Sequence, residues 1–198
     1  MSELQFPLNL QFKIATLAND FIAKDANERT IAYVRQKMFK LKADINVYTD
    51  ETKASEMFSI KADKWLDFST SYAFSDNEGN LLGRVSRKGW KSIWKARYEI
   101  YDEQGKQDLL IQEENAWVKV GDQLLGEIPI LGMLTGYLFN PTYVLTRPDG
   151  TLVAKLKKNP SFFGRNFTVS KEAEFQTGEE TRILLGLMMM VLLERRRG

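Results

Sequence analysis

The chain has 198 residues, with 28 basic and 26 acidic side chains for a net charge of +2, 43% hydrophobic residues, and neither cysteine nor histidine. That length fits one domain with a sizeable core, spanning 1–198, and so ordinary a balance excludes a disordered or collagen-like chain. Without histidine or cysteine there is no Ser-His-Asp or Cys-His nucleophile, no disulfide and none of the common zinc, haem or iron–sulfur ligand sets, so the chain reads as a non-enzyme with no cofactor or metal.

The opening Met1-Ser2-Glu3-Leu4-Gln5-Phe6-Pro7 has no basic n-region and no long apolar stretch, which sets the expectation of a cytoplasmic protein. From there period-two alternation takes over. Leu8, Leu10, Phe12 and Ile14 interleave with Asn9, Gln11, Lys13 and Ala15, the pattern of a strand with one face in a core and the other in water. Similar strands are predicted over 30–36, 44–48, 57–61, 68–74, 81–87, 95–101, 143–146, 151–157 and 165–170. Their separators are turn formers: Asp25-Ala26-Asn27-Glu28, Asp50-Glu51-Thr52, Asn77-Glu78-Gly79-Asn80, Asp102-Glu103-Gln104-Gly105 and Pro148-Asp149-Gly150. The run Asp76 to Asn80 approaches a calcium loop but lacks the glycine and glutamate such a loop needs, and reads as a hairpin turn.

An internal repeat supports the hairpins. Tyr72 to Val85 matches Tyr143 to Leu156 without a gap at an offset of 71, and a weaker copy runs from Ile45 to Lys61. Ten to twelve short strands joined by hairpins imply a sandwich or a barrel.

Two segments break this pattern. Leu124 to Phe139 is apolar but carries Gly126, Pro129, Gly132 and Gly136, and is predicted as a loop or short helix docked on the barrel, with a protein partner as the alternative occupant of its apolar face. The second is a helix predicted over 179–196, apolar from Ile183 to Leu193, with Thr177 as N-cap, Glu180 closing a capping box, Glu179 at the positive end and Arg195, Arg196 and Arg197 at the negative end. Eleven residues at a rise of about 1.5 Å reach only about 16 Å, half a hydrocarbon core, so no transmembrane segment is expected. A helix apolar on every face must be buried in protein, and in an all-β chain the economical place is the middle of a barrel.

The repeated hairpins at Tyr72 and Tyr143, the stretch Arg87-Lys88-Gly89-Trp90-Lys91 and the helix from Arg182 to Arg195 together resemble the superfamily of tubby C-terminal domains, phospholipid scramblases and LURP-one-related proteins. The ending Met188 to Gly198 is similar to that of a bacterial branch. The resemblance implies a closed antiparallel β-barrel of about twelve strands wrapped around a hydrophobic C-terminal α-helix. It also implies a binding module, with an anionic lipid or phosphoinositide headgroup as candidate ligand and a peripheral place at the membrane. Scrambling is disfavoured, because the cysteine-rich and calcium-binding stretches of scramblases are missing.

The densest basic tract is Arg84, Arg87, Lys88, Lys91, Lys95 and Arg97, interleaved with Trp90 and Trp94, and the repeat sets Lys155, Lys157, Lys158 and Arg165 in corresponding positions. Of these, Arg84, Arg87, Lys88, Lys91, Lys95, Lys157 and Lys158 are the candidate ligand-binding residues, since cations beside aromatics suit a phosphorylated headgroup or an anionic surface. A solvated scaffold face is the bland alternative, because edge lysines also discourage aggregation. A net charge of +2 argues against nucleic acid. Glu113-Glu114 and Glu179-Glu180 fall on different strand faces or in a first helical turn, and neither makes an acid and base pair.

Overall fold

The structure is a computed structural model, which describes residues 4–13, 20–36, 44–63, 71–88, 97–114, 141–160 and 166–195. Its strands are β1 (Leu8–Phe12), β2 (Phe21–Lys24), β3 (Thr30–Gln36), β4 (Asp44–Tyr48), β5 (Glu56–Asp63), β6 (Ser71–Asp76), β7 (Leu81–Lys88), β8 (Arg97–Tyr101), β9 (Gln107–Glu113), β10 (Thr142–Thr146), β11 (Leu152–Asn159) and β12 (Asn166–Lys171). All twelve pair antiparallel with their sequence neighbours, and β1 pairs with β12 to close a barrel. Alternation sets the faces. Leu8, Leu10 and Phe12 point inward, and Leu10 stands in register with Phe167 of β12 and Ala23 of β2, both buried.

Two strands escape the alternation rule. β2 has only four residues, too few to show a period, and β9 carries Leu109 and Leu110 side by side, one buried and the other half-exposed. The apolar segment 124–139 and the residues Lys91, Lys95, Trp90, Trp94, Arg165, Arg196 and Arg197 lie outside the described residues.

Five hairpins share one turn design. In the turn after β6, the Gly79 N–H donates to the Asp76 carbonyl (3.2 Å), the Asp76 N–H donates to the Asn80 carbonyl (3.1 Å), and Asp76 Oδ1 accepts from the Glu78 and Asn80 N–H groups. Asp25 and Asp102 repeat this bonding four residues along, and Asp50 repeats part of it. The Asp76 carboxylate that resembled a calcium ligand is thus spent on its own turn. The fourth turn position is left-handed in every case: Glu28, Lys53, Gly79, Gly105 and Gly150. A register shift follows each turn, and those at Phe74/Ser75 and Leu145/Thr146 fall 71 residues apart, the offset of the sequence repeat.

Helix α1 (Glu179–Arg195) runs within this barrel, every residue from Ile183 to Leu192 being buried. Gly186 lets it approach β8 and β9: a Cβ there would stand 2.5 Å from Ile100 Cδ1 and 3.9 Å from Ile111 Cδ1. On the other side Leu184, Leu185 and Met188 face Ile31, Val47 and Phe58 across a crevice of about 10 Å³, room for one water.

Charged contacts fix the helix at its start. Arg147, in the β10–β11 turn, donates to both Glu179 carboxylate oxygens (2.8 and 2.7 Å) and to the Glu174 carbonyl (2.7 Å). Arg182 Nε donates to Asp108 at 2.6 Å, and its Nη1 stands 3.6 Å from Glu103. The reach-back contact is one residue earlier than the sequence suggests. Glu179 Oε2 accepts from the Gln176 N–H at 2.8 Å, the reach-back contact expected of Glu180, while the Gly178 carbonyl accepts the Arg182 N–H at 3.4 Å; the bidentate grip of Arg147 favours Glu179 for that place.

All five tight turns and the start of α1 therefore share one rim of the barrel, the turn rim. The strand ends at 12 and 21, 36 and 44, 63 and 71, 88 and 97, 113 and 142, and 159 and 166 share the opposite, far rim.

Candidate functional site

Strand direction sorts the basic tract. β7 runs from the turn rim to the far rim with Gly83, Val85 and Arg87 on the inward register and Arg84 and Ser86 on the outward one. Arg84 and Arg87 thus point to opposite faces. Arg84 Nε donates to Asp63 Oδ2 across β6 at 2.9 Å, both side chains being partly buried, so its charge is already matched.

Arg87 is placed differently. It is half-buried, stands in register with the buried Tyr98 of β8, and holds its guanidinium carbon 6.0 Å from that ring's centroid. Its Nε is buried and has no hydrogen-bond partner. A cation over an aromatic face is partly compensated for its lost water, but its unpaired N–H still favours an anionic acceptor.

β11 repeats the arrangement. Leu156 and Lys158 fall on the inward register, Lys158 opposite Phe167, while Lys155 and Lys157 fall outside. Lys157 is exposed, and Lys155 Nζ stands 3.9 Å from Glu114. Arg87, Lys88, Lys157 and Lys158 all belong to the last strand residues before the far rim. Arg97, the first residue of β8, is the register partner of Lys88, and its Nη2 stands 3.5 Å from Glu99. The structure therefore brings the β7 and β8 cations together at the far rim and sets those of β11 four strands further round.

Two buried hydroxyls sit on the outward register, that of Tyr101 at the turn rim. Tyr101 donates to Glu99 Oε2 at 2.5 Å, and burial, aided by that carboxylate, pushes its phenol up to about 12. Tyr33 donates to Asp20 Oδ2 at 2.6 Å, and burial with the same kind of partner raises it too. Both phenols stay protonated at neutral pH, so neither offers a base.

Charge is unevenly distributed among the described residues. The turn-rim residues 24–30, 48–56, 76–81, 101–108, 146–152 and 171–182 hold 7 of the 28 basic and 15 of the 26 acidic side chains, a net −8. The other described residues hold 11 basic and 7 acidic side chains, a net +4. The basic tract was legible in the sequence, but the acidic counterpart was not. Its residues read as five unrelated turns until the topology gathers them on one rim.

A sequence model described as LURP-one-related matches residues 30–186, most of the barrel and the first half of α1. The chain belongs to the LURP-one-related family. That family is part of the tubby-like superfamily, and the closed twelve-strand barrel with its single described helix agrees with it. Comparison with curated proteins and with solved structures finds no match. β1 and β2 precede the part matched by the LURP-one-related model, yet they complete the ring between β12 and β3. Among the described residues no helix is long and apolar enough to cross a membrane.

Proposed function

We propose that this LURP-one-related barrel is a non-enzymatic module that binds anionic lipid headgroups through the basic side chains of its far rim. The observation that supports the reading is the uneven charge of the described residues, −8 at the turn rim against +4 elsewhere, with Arg87, Lys88, Lys157 and Lys158 near the far rim, which also holds Asp44, Asp63 and Glu113. Family membership supports it, since the fold is of the tubby-like, lipid-binding kind. Arg84, held by Asp63, serves the scaffold rather than the ligand.

Such binding is a sum of screened contacts, each worth about 1 kcal/mol near an anionic surface. Sedimentation with phosphatidylcholine vesicles, with and without phosphatidylinositol phosphates, at low and high salt, tests the reading. The protein is expected to pellet only with the anionic vesicles and to be released by salt. Reversing the exposed Lys157 to glutamate weakens pelleting with little change in melting temperature, because exposed charges contribute little to folding. No pelleting at low salt, or equal pelleting with neutral vesicles, overturns the reading.

A further inference from the structure

We infer that the turn rim carries a docking site for a basic segment of a partner protein, one large apolar side chain of which packs where α1 parts from β3, β4 and β5. The inference is independent of the lipid reading, which concerns the other rim. Each register shift at the turn rim leaves one extra residue: Ile31, Met57, Leu82, Asp108 and Val153 in chain order. The last two are already engaged. Asp108 holds Arg182, and Val153 is buried where its carbonyl accepts from the Glu172 and Ala173 N–H groups (2.9 and 3.4 Å). Ile31, Met57 and Leu82 instead stay partly exposed, although each packs against the core.

Beside two of these residues the helix and the wall separate. The crevice of about 10 Å³ has Leu184, Leu185 and Met188 on one side and Ile31, Met57 and Phe58 on the other. Both ionic anchors of α1, Arg147 with Glu179 and Arg182 with Asp108, lie across the barrel among β9, β10 and β11. Room for one water is not a finished pocket, but Met57 and Met188 are unbranched and repack easily, so an incoming side chain can take the place of Met57. Charge selects what carries that side chain. The turns bordering this face, 24–30, 48–56 and 76–81, hold 3 basic and 7 acidic side chains. Their cations are engaged locally: Lys24 with Glu28, Arg29 with Asp25, and Lys53 over the Tyr33 ring. Asp50 and Asp76 stay charged, held below the ordinary carboxylate range by hydrogen bonds from Thr52 and Asn80. Glu56, next to Met57, and Glu78 have no ion-pair partner among the described residues. An apolar ledge edged by uncompensated carboxylates suits an apolar anchor flanked by lysine or arginine.

Methionine methyl groups report on the site directly. Protein labelled with carbon-13 at those methyls is titrated with short synthetic peptides that carry a central leucine or phenylalanine between lysines. The Met57 and Met188 signals are expected to shift, while those of Met189 and Met190, buried and outside the crevice lining, move far less. Peptides with glutamate in place of lysine, or serine in place of the apolar residue, are expected to bind at least about tenfold more weakly. Glu56→Gln with Glu78→Gln is expected to weaken the basic peptide by about threefold or more while melting like the wild type. A Met57 signal that no peptide moves, or that acidic and basic peptides move equally, overturns the proposal. So do Met57 and Met188 shifts that arise instead on concentrating the protein alone or on adding phosphatidylcholine vesicles, which assign the face to a second copy or to lipid. Failure to pellet with anionic vesicles overturns the lipid reading and leaves this site standing.

Discussion

Lys53 holds φ at 60° in the position where three sister turns use glycine, and the cost of a side chain there is about 1 kcal/mol. Lys53→Gly should therefore stabilise the fold by several tenths of a kcal/mol, while Gly79→Ala, in open space but at a φ of 88°, should destabilise it by about 1 kcal/mol, both read from chemical denaturation. Gly83 is a harder constraint. Its φ is 149°, and a Cβ would lie 2.4 Å from the Tyr101 carbonyl oxygen, backbone that cannot move aside. Gly83→Ala should cost about 2 kcal/mol or more. The aspartates and glycines of these turns are visible in the sequence because Asp-x-x-Gly has a mechanism of its own. Glu28 and Lys53 carry no such mark, and the pairing of Arg84 with Asp63 depends on a strand register that spacing alone does not reveal. The opposite facing of Arg84 and Arg87 is implicit in the alternation from Val85, but a tract read as one surface hides it.

At the scale of the element, α1 is the most legible part of the chain and also the most consequential. A run apolar on every face has only one kind of home, so burial inside the barrel follows from composition. Its start at Glu179 is where the sequence puts it, but the use of Glu179 rather than Glu180 for the reach-back contact does not follow, because it depends on Arg147, a residue 32 positions away. Nine apolar side chains between Ile183 and Leu192 are buried, about 14 to 27 kcal/mol gross, which exceeds the net stability of a typical domain. Deleting 182–198 should abolish cooperative melting. Leu187→Asp should cost about 4 kcal/mol or more, against less than about 0.5 kcal/mol for Lys157→Asp. The ionic anchor makes a separate prediction about acid. Burial alone would raise the Glu179 carboxyl, but the Arg147 guanidinium and the Gln176 N–H hold it below its ordinary value. The turn aspartates Asp25, Asp50, Asp76 and Asp149 are also held low, in each case with backbone N–H groups among the donors responsible. The folded chain then binds fewer protons than the unfolded one. The stabilisation is fully present above the unfolded carboxylate values near about 4 and is lost as pH falls through the native ones. Melting temperature should be nearly flat from neutral pH to about 5 and fall steeply below about 4, less steeply in Glu179→Gln, whose lower starting stability reflects the loss of the anchor.

For the whole molecule, closure was legible only in part. The count of hairpins implies a barrel or a sandwich, and the helix favours the barrel, but the strand that seals the ring, β2, is too short to announce itself. Removing 1–29 takes β1 and β2 away and leaves β3 and β12 as unpaired edges. Such a truncation should aggregate or form edge-paired oligomers, visible by size-exclusion chromatography, rather than persist as a monomer. The placement of α1 after every strand it sits among has a consequence for how the protein is made. A growing chain emerges in sequence order, so all twelve staves exist before the peg they are fitted around. Hairpins β2–β3 through β10–β11 can zip locally as they appear, each from its own tight turn, but none can shield its inner side chains until the last element is released. The decisive step of folding therefore waits until α1 has been made and released. A ribosome stalled between Lys171 and Ile183 is expected to display a curved sheet whose inner apolar side chains are still open to chaperones.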